Sequence, residues 1–372
     1  MKLTIERAAL LRSLGHVQSV VERRNTIPIL SNVQLDAGEG ELRLTATDLD
    51  LAMVEAVVCD VTSPGAITTP AHVLHDIVRK LPDGAQVELS YDDGADRLTL
   101  AAARSRFVLA CLPCDQFPVM AEGDLPHRFA LAAEDLKRLI DKTRFAVSTE
   151  ETRYYLNGIY LHVAEADTAP TLRAVATDGH RLAQVEQPLP EGAAGMPGVI
   201  VPRKAVGELR KLIDEFDGDI GIALSDAKIR FSFNSAVLTS KLIDGTFPDY
   251  GRVIPAGNDK RLELDPKLFA EAVDRVSTIS SEKSRAVKLN LENNRLLLSV
   301  TSPEAGSATE ELAVSYSAAP IEIGFNARYV LDILAQLDGA MATLDLADAS
   351  SPTILRDPGD EGALYVLMPM RV

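Results

Sequence analysis

Apolar residues recur along most of this chain at every second position in short runs. Segments with a period near 3.6 interrupt them, so the pattern predicts strands in groups separated by helices. Leu3-Thr4-Ile5 opens the first group, and an amphipathic helix follows through Leu10, Leu11, Leu14 and Val17 to Val21. Strands are predicted at residues 41–47 and 52–58, with a turn at Ser63-Pro64-Gly65. Thr69-Pro70-Ala71 leads into a second helix with Val73, Leu74, Ile77, Val78 and Leu81 on one face. Pro82-Asp83-Gly84 ends it, alternation returns at 87–90, 98–100 and 107–109, and Phe117-Pro118 closes the group.

The same order then repeats. Phe129-Ala130-Leu131 precedes a helix carrying Leu136, Leu139 and Ile140, followed by predicted strands over 154–162 and 172–185. Ile200-Val201-Pro202 introduces a helix with Val206, Leu209, Leu212, Ile213 and Phe216, and strands at 220–224, 228–233 and 236–242 lead to Phe247-Pro248. A third group begins at Leu262-Glu263-Leu264, with Leu268, Ala272, Val273 and Val276 in its first helix. Its second helix, over 330–337, follows Ile323-Gly324-Phe325, and the group closes at Met368-Pro369-Met370-Arg371. Pro202 lies 132 residues beyond Pro70, and the closing prolines 118, 248 and 369 are 130 and 121 apart. A repeat of that size is a domain, since solenoid units run to roughly 20–45 residues. The expectation is three domains, 1–125, 126–254 and 255–372, of α+β class, each with two helices packed on one side of antiparallel strands. A strand-end phrase marks the copies: Ala46-Thr47-Asp48, then Ala176-Thr177-Asp178-Gly179-His180-Arg181-Leu182, then Val300-Thr301-Ser302-Pro303. Asp-Gly there is turn chemistry.

Composition narrows the class. With 46% hydrophobic and 25% charged residues the 372-residue chain is an ordinary soluble type. Charges at Lys2, Glu6 and Arg7 exclude a signal peptide at this start, and no apolar run reaches membrane length, so a cytoplasmic protein is expected. Cys111-Leu112-Pro113-Cys114 spaces two thiols for redox or zinc chemistry. Without a second Cys/His pair it reads as structural, and the repeat puts Lys241 and Asp244 at the same places. His72 and His75 share a helix face without a clear third ligand, and Asp178 with His180 lacks a nucleophile or metal. No catalytic residue, metal or cofactor is therefore nominated. The net charge of −16 argues against binding driven by phosphate contacts alone. Yet the helices repeat basic positions, among them Arg7, Arg12, Arg79, Lys80, Lys137, Arg138, Lys142, Arg203, Lys204, Arg210, Lys211, Lys267, Arg275 and Arg328, which suggest a basic face shared by the copies.

Several phrases in order carry a resemblance over the whole length. These are Thr26-Ile27-Pro28-Ile29-Leu30, Arg153-Tyr154-Tyr155-Leu156-Asn157-Gly158, the middle turn phrase, Val201-Pro202-Arg203-Lys204, Thr239-Ser240-Lys241-Leu242, Phe247-Pro248-Asp249-Tyr250 and Met368-Pro369-Met370-Arg371. The chain resembles the DNA polymerase III beta subunits, the bacterial sliding clamps. The resemblance implies a head-to-tail homodimer closed around double-stranded DNA without sequence preference. It also implies a processivity factor with no catalysis of its own, serving a holoenzyme that is the DNA-directed DNA polymerase. Six units of about 35 Å diameter leave a hole of roughly 35 Å, whereas three leave only about 5 Å. A ring holds DNA by topology, so an acidic chain with a moderately basic lining suffices. A repeat-built peptide-binding scaffold that never encircles DNA is the competing expectation.

The resemblance further implies site residues. DNA-contacting positions are Arg24, His72, Glu150, Tyr154 and Tyr155, although His72 stands where relatives often have arginine and Thr149-Glu150-Glu151 is acidic. Dimer contacts are Arg104, Arg106, Phe107 and Leu109 against Ile279, Ser280, Glu304, Glu310 and Glu311. A groove for short peptides of the replicative polymerase, clamp loader and repair proteins is expected from Leu156, Thr177, Gly179, His180, Arg181, Leu182, Pro248, Arg252, Val253, Ser351, Val366, Met368, Pro369, Met370 and Arg371. In it, Arg181 and Arg371 are expected to pair with polar ends of the bound segment.

Overall fold

The computed structural model describes residues 1–92, 94, 96–121, 123–165, 169–280 and 285–371. Period-3.6 segments become helices α1 (Arg7–Gln18), α2 (Ala71–Lys80), α3 (Ala133–Arg144), α4 (Arg203–Ile213), α5 (Pro266–Ser277) and α6 (Ala327–Leu334). Side-chain caps start two of them. The Asp265 carboxylate accepts from the amides of Lys267 and Leu268 at 2.8 and 3.2 Å, and Asn326 does the same for Arg328 and Tyr329 at 3.0 and 3.4 Å. Two predicted helix faces need correction. α2 buries Ala71, Leu74 and Val78 while Val73 is exposed, and α5 buries Phe269 in place of Leu268. A neighbour in sequence lies about 100° around the helix, so only one of each apolar pair can face the core.

The alternating segments form antiparallel sheets, grouped in two compact units. One unit comprises residues Met1–Ala133, Pro190–Pro197 and Lys204–Leu242; the other comprises Glu134–Leu189, Gly198–Arg203 and Ile243 onward. In the first, a five-stranded sheet runs Asp60–Ser63, Lys2–Glu6, Gln86–Asp92, Arg97–Ala102, Ser105–Ala110. An eight-stranded sheet runs His127–Ala132, Asp219–Leu224, Lys228–Ser232, Ala236–Lys241, Leu51–Val58, Glu41–Thr47, Asn32–Gly38, Gly65–Pro70. α1 packs on α2 and on the strands Leu51–Val58 and Glu41–Thr47.

The second unit has its own eight-stranded sheet, in the order Val199–Pro202, Gly158–Ala164, Thr171–Thr177, Arg181–Pro188, Ala363–Leu367, Thr353–Arg356, Ala342–Leu346, Lys260–Leu264. Its four-stranded sheet runs Gly306–Ala313, Arg295–Ser302, Ala286–Glu292, Ile321–Asn326, with α5 and α6 packed together and α5 covering the sheet. Each eight-stranded sheet takes half its strands from one sequence repeat and half from the next. Leu238 pairs with Met53 in one, and Leu182 with Val366 in the other. Strands of neighbouring repeats thus satisfy each other's backbone groups. Among the described residues Ser105–Ala110 and Gly306–Ala313 are sheet-edge strands, each paired with a strand on one side, as are the strands at the other sheet edges.

Two local predictions differ. Asn32–Gly38, outside the predicted strands, is a strand whose buried Val33, Leu35 and Ala37 alternate. Residues 151–156 form a 3-10 turn, not a strand, so the strand begins at Gly158.

Candidate functional site

The middle turn phrase is built by its own side chains. The Thr177 hydroxyl donates to the Arg181 carbonyl at 2.7 Å and accepts from the Gly179 amide at 3.1 Å. Asp178 Oδ1 accepts the amides of His180 and Arg181 at 2.9 and 3.0 Å. The backbone takes positive φ at Gly179, +88°, which glycine adopts at little cost, and a Cβ there would displace the end of the Arg153 side chain, whose Nη1 lies 2.5 Å from that position. The first copy repeats the device atom for atom. Thr47 donates to the Leu51 carbonyl at 2.9 Å, Asp48 Oδ1 accepts from Asp50 and Leu51, and Leu49 takes φ of 82° where the second copy has glycine. Asp178 is thereby occupied as a turn former, and this removes the acid–base reading of Asp178 with His180.

Arg181 is held by partners within the protein. Its side chain is buried, with Nε donating to Asp178 Oδ2 at 3.1 Å, Nη1 to Asp332 Oδ2 at 2.5 Å and Nη2 to the Phe145 carbonyl at 2.7 Å. The guanidinium lies 4.4 Å from the Tyr329 ring centroid and 5.1 Å from that of Phe145. Each of its three nitrogens donates to an acceptor inside the protein, so its charge is already shared with Asp178 and Asp332.

Register on the sheet places a row of apolar groups beside this turn. Thr177 pairs with Leu182, and Leu182 with Val366, so the three share one face. Val175, Leu182, Val366, Leu156, Ile200 and Phe247 form a buried cluster there, with Tyr155, Tyr160, Tyr250 and Ile254 packed against it. An open cavity of about 270 Å³ lies over that face. It is lined by Leu156, Thr177, Gly179, Arg181, Leu182, Pro248, Val253, Val366 and Met368 of the expected groove, together with Arg153, Tyr155, Asp249 and Tyr250. Val253 and Met368 are among its exposed apolar groups. Its size sits just below the roughly 300–1,000 Å³ of ligand pockets.

The other expected groove residues lie outside this lining. His180 stacks on Tyr329 with centroids 6.1 Å apart, and its carbonyl accepts the Met368 amide at 2.9 Å. The Met370 amide bonds the Gly324 carbonyl at 2.8 Å, drawing residues 369–371 toward the four-stranded sheet. Arg252 pairs with Asp249 at 2.8 Å, and Ser351 hydrogen-bonds Asp348, whose carboxyl is held at about 2 by the amide and hydroxyl of Ser350 and by Ser351. Arg153, Asp249 and Tyr250 complete the wall beyond the expected residues: a 3-10 turn brings in Arg153, and Asp249 and Tyr250 directly follow the expected Pro248.

Arg24 is exposed and makes no ion pair among the described residues, while His72 Nε2 lies 3.0 Å from the Val21 carbonyl. Glu150 is engaged twice by Arg153, at 2.8 and 2.7 Å, and that hydrogen bonding lowers its pKa; its charge is therefore compensated within the loop. Tyr154 is 52% exposed and meets Tyr155 edge to face at 5.7 Å. Of the expected basic helix positions, Arg12, Arg79, Lys80, Arg203, Lys211, Lys267, Arg275 and Arg328 are exposed, while several are shared with carboxylates. Lys204 bridges Glu22 and Asp48, Lys142 binds Asp338 and Asp360, Arg138 binds Asp360, and Arg12 binds Glu215. Phe107 and Leu109 are half-buried on the Ser105–Ala110 edge, with Arg104 and Arg106 exposed. On the Gly306–Ala313 edge Glu310 pairs with Arg275 and Glu311 with Arg295; Ile279 and Ser280 are half-buried and Glu304 is exposed.

Among the described residues no three His, Cys, Asp or Glu side chains converge as a metal site. Cys111 and Cys114 are free thiols whose pKa values burial raises. No described helix is long and apolar enough to cross a membrane.

Known proteins share this arrangement. Family models of the DNA polymerase III beta subunit match over the N-terminal domain at residues 1–121, the central domain at 130–249 and the C-terminal domain at 251–371. The beta sliding clamp of Caulobacter vibrioides is 58% identical over all of both chains, and that of Escherichia coli K12 39% identical over the same span. A sliding clamp of Bartonella birtlesii, solved bound to griselimycin, superimposes over all of both chains with a TM-score of 0.97 at 54% identity. The Pseudomonas aeruginosa clamp, also solved bound to griselimycin, gives 0.95 at 41%, again with full coverage of both.

Proposed function

The chain belongs to the DNA polymerase III beta-subunit family, the sliding clamps, and on that premise we propose how its own residues carry out the clamp's work. It is a three-domain clamp and a processivity factor of DNA replication, not a catalytic subunit. The three sequence repeats, 1–125, 126–254 and 255–372, are taken as its domains. Two copies close head to tail into a ring around duplex DNA in the cytoplasm. Two of the one-sided strands supply the ends: Ser105–Ala110 of one copy faces Gly306–Ala313 of the other, and each completes the other's open ladder. Phe107 and Leu109 anchor the joint, with Ile279 and Ser280 opposite. Arg104 and Arg106 meet an acidic edge of Glu304, Glu310 and Glu311 whose latter two charges are already shared with Arg275 and Arg295. Charge therefore sets register there more than strength.

DNA is held by enclosure, with Arg24, His72, Tyr154 and Tyr155 as light contacts and Glu150 neutralised by Arg153. Binding to short linear duplex is accordingly weak and falls with salt.

The cavity beside the middle turn carries the client-binding reading. An exposed apolar recess on a chain with few such groups fits an extended peptide with a glutamine and one or two Leu or Phe anchors, from polymerase, loader or repair proteins. Burying each anchor contributes roughly 1.5–3 kcal/mol, offset by ordering of the peptide, so micromolar affinity follows. Met368 suits several anchors because its flexible thioether repacks. Titration of a fluorescein-labelled peptide of that composition tests this. Val253→Asp and Met368→Ala should each weaken binding by about tenfold and leave the dimer intact in sedimentation. Unchanged affinity in both variants would remove the cavity from client binding.

A further inference from the structure

Behind Tyr250, a wall residue of the cavity, lies a polar row that the clamp's work does not explain. His162, Arg173 and Glu186 stand opposite one another on three adjacent strands. His162 Nδ1 lies 2.9 Å from the Val163 carbonyl and Nε2 lies 2.8 Å from Tyr250 Oη. Arg173 Nη1 donates to the same phenol oxygen at 3.1 Å, while its Nε and Nη2 donate to Glu186 Oε2 at 2.8 and 2.6 Å. Thr171 Oγ1 also donates to Glu186 Oε2, at 3.3 Å.

Only one arrangement of hydrogens serves the whole row. The Val163 carbonyl can only accept, so Nδ1 carries the imidazole hydrogen and Nε2 of the neutral ring must accept. The Tyr250 hydroxyl supplies that hydrogen and accepts from Arg173, which can only donate. Stacking fixes the ring plane. Tyr160 lies 4.6 Å from His162 on one side and 4.8 Å from Phe247 on the other, at interplanar angles of 22° and 7°. Gly198 permits the stack, since a Cβ there would come within 2.3 Å of Tyr160 Oη.

We propose that His162 and Arg173 are positioning residues of the peptide groove, holding Tyr250 at its wall, and that protonation of His162 releases that hold and weakens binding of an apolar anchor. The proposal rests on the cavity being the client groove. A proton on Nε2 leaves the phenol oxygen facing two donors, and the tyrosine hydrogen then has no place in the row. It also sets an imidazolium beside the Arg173 guanidinium, with Glu186 the one carboxylate among the described residues bonded to Arg173 and Tyr160 neutral. Burial, with Arg173 adding to it, pushes the His162 pKa below its ordinary 6.5 against the opposing bond to Val163, so the neutral row is the state at physiological pH.

The test uses the full-length dimer and the fluorescein-labelled peptide described above, titrated from about pH 7.5 to about pH 5. Wild-type affinity should fall about three- to tenfold in acid, the range one net hydrogen bond commands. His162→Phe keeps the stack and lacks the acceptor; it should bind about three- to tenfold less tightly at neutral pH and vary little with pH. Tyr250→Phe should behave alike, and the double variant should be no worse than either single one. His162→Gln restores an acceptor without a titrating group, so it should recover neutral-pH affinity and stay flat in acid, which a packing role alone would not produce. A His162→Phe variant with wild-type affinity and wild-type pH slope would overturn the proposal, as would His162→Gln binding no better than His162→Phe. Val253→Asp separates the premise. If the peptide fails to bind wild type, or binds Val253→Asp equally well, the groove assignment falls and the relay with it.

Discussion

Replacing Arg181 by lysine separates an internal role for that guanidinium from direct contact with clients. The side chain is 8% exposed and makes three hydrogen bonds, two of them to the carboxylates of Asp178 and Asp332, while Tyr329 and Phe145 cover its faces. Lysine retains the charge but cannot span three acceptors from a planar fork. Hydrogen bonds of charged groups contribute about 1.5–3 kcal/mol each, and the ring contacts about 0.5–2 kcal/mol. Allowing for one bond regained by the ammonium and for its keeping much of the ring contact, Arg181→Lys should cost roughly 3–6 kcal/mol. In a unit of this size that lowers the transition seen by calorimetry by roughly 6–24 °C. Asp178 loses a partner as well, so the turn loosens and peptide affinity falls together with the melting temperature. A variant that melts like wild type yet no longer binds peptide would refute the reasoning and return Arg181 to ligand recognition.

Other outcomes follow from the same atoms. His16 lies between two carboxylates, with Nδ1 2.7 Å from Glu55 and Nε2 3.2 Å from Glu215, and the hydrogen bond to Glu55 leads the effects that raise its pKa above 6.5. A raised folded-state pKa stabilises fully below the unfolded value and less as pH rises through the folded one. The melting-temperature gap between wild type and His16→Gln should therefore be widest below pH 6.5 and shrink in alkali; a gap independent of pH would contradict it. Leu49 carries a side chain at φ of 82° where the second copy has glycine. Leu49→Gly should stabilise by about 0.5–1 kcal/mol and Gly179→Ala should destabilise by more than that, both read by urea midpoints.

How much of this the sequence disclosed depends on how far apart the partners lie. Thr177-Asp178-Gly179 is legible as a turn because each residue acts on backbone within a few positions. The alternation at Thr177, Leu182 and Val366 shows which groups share a face, though the pairing that joins them crosses a repeat boundary. Lys204 is a similar case. Lys204 reads as solvated, yet Glu22 and Asp48 reach it from more than 150 residues away. Residues 153–155 looked like a strand start because two tyrosines favour strands, whereas the 3-10 turn carries Arg153 and Tyr155 to the cavity wall. His162 and Tyr250 are 88 residues apart, and nothing local to either announces the other.

The central claim is enclosure: a ring of two copies that stays on DNA by topology. The most direct measurement loads the labelled protein onto nicked circular duplex with a clamp loader and follows it by gel filtration in high salt, before and after a single cut linearises the DNA. The account predicts that protein remains with the circle and leaves once an end exists. Equal retention on both forms, or equal loss from both, would contradict it.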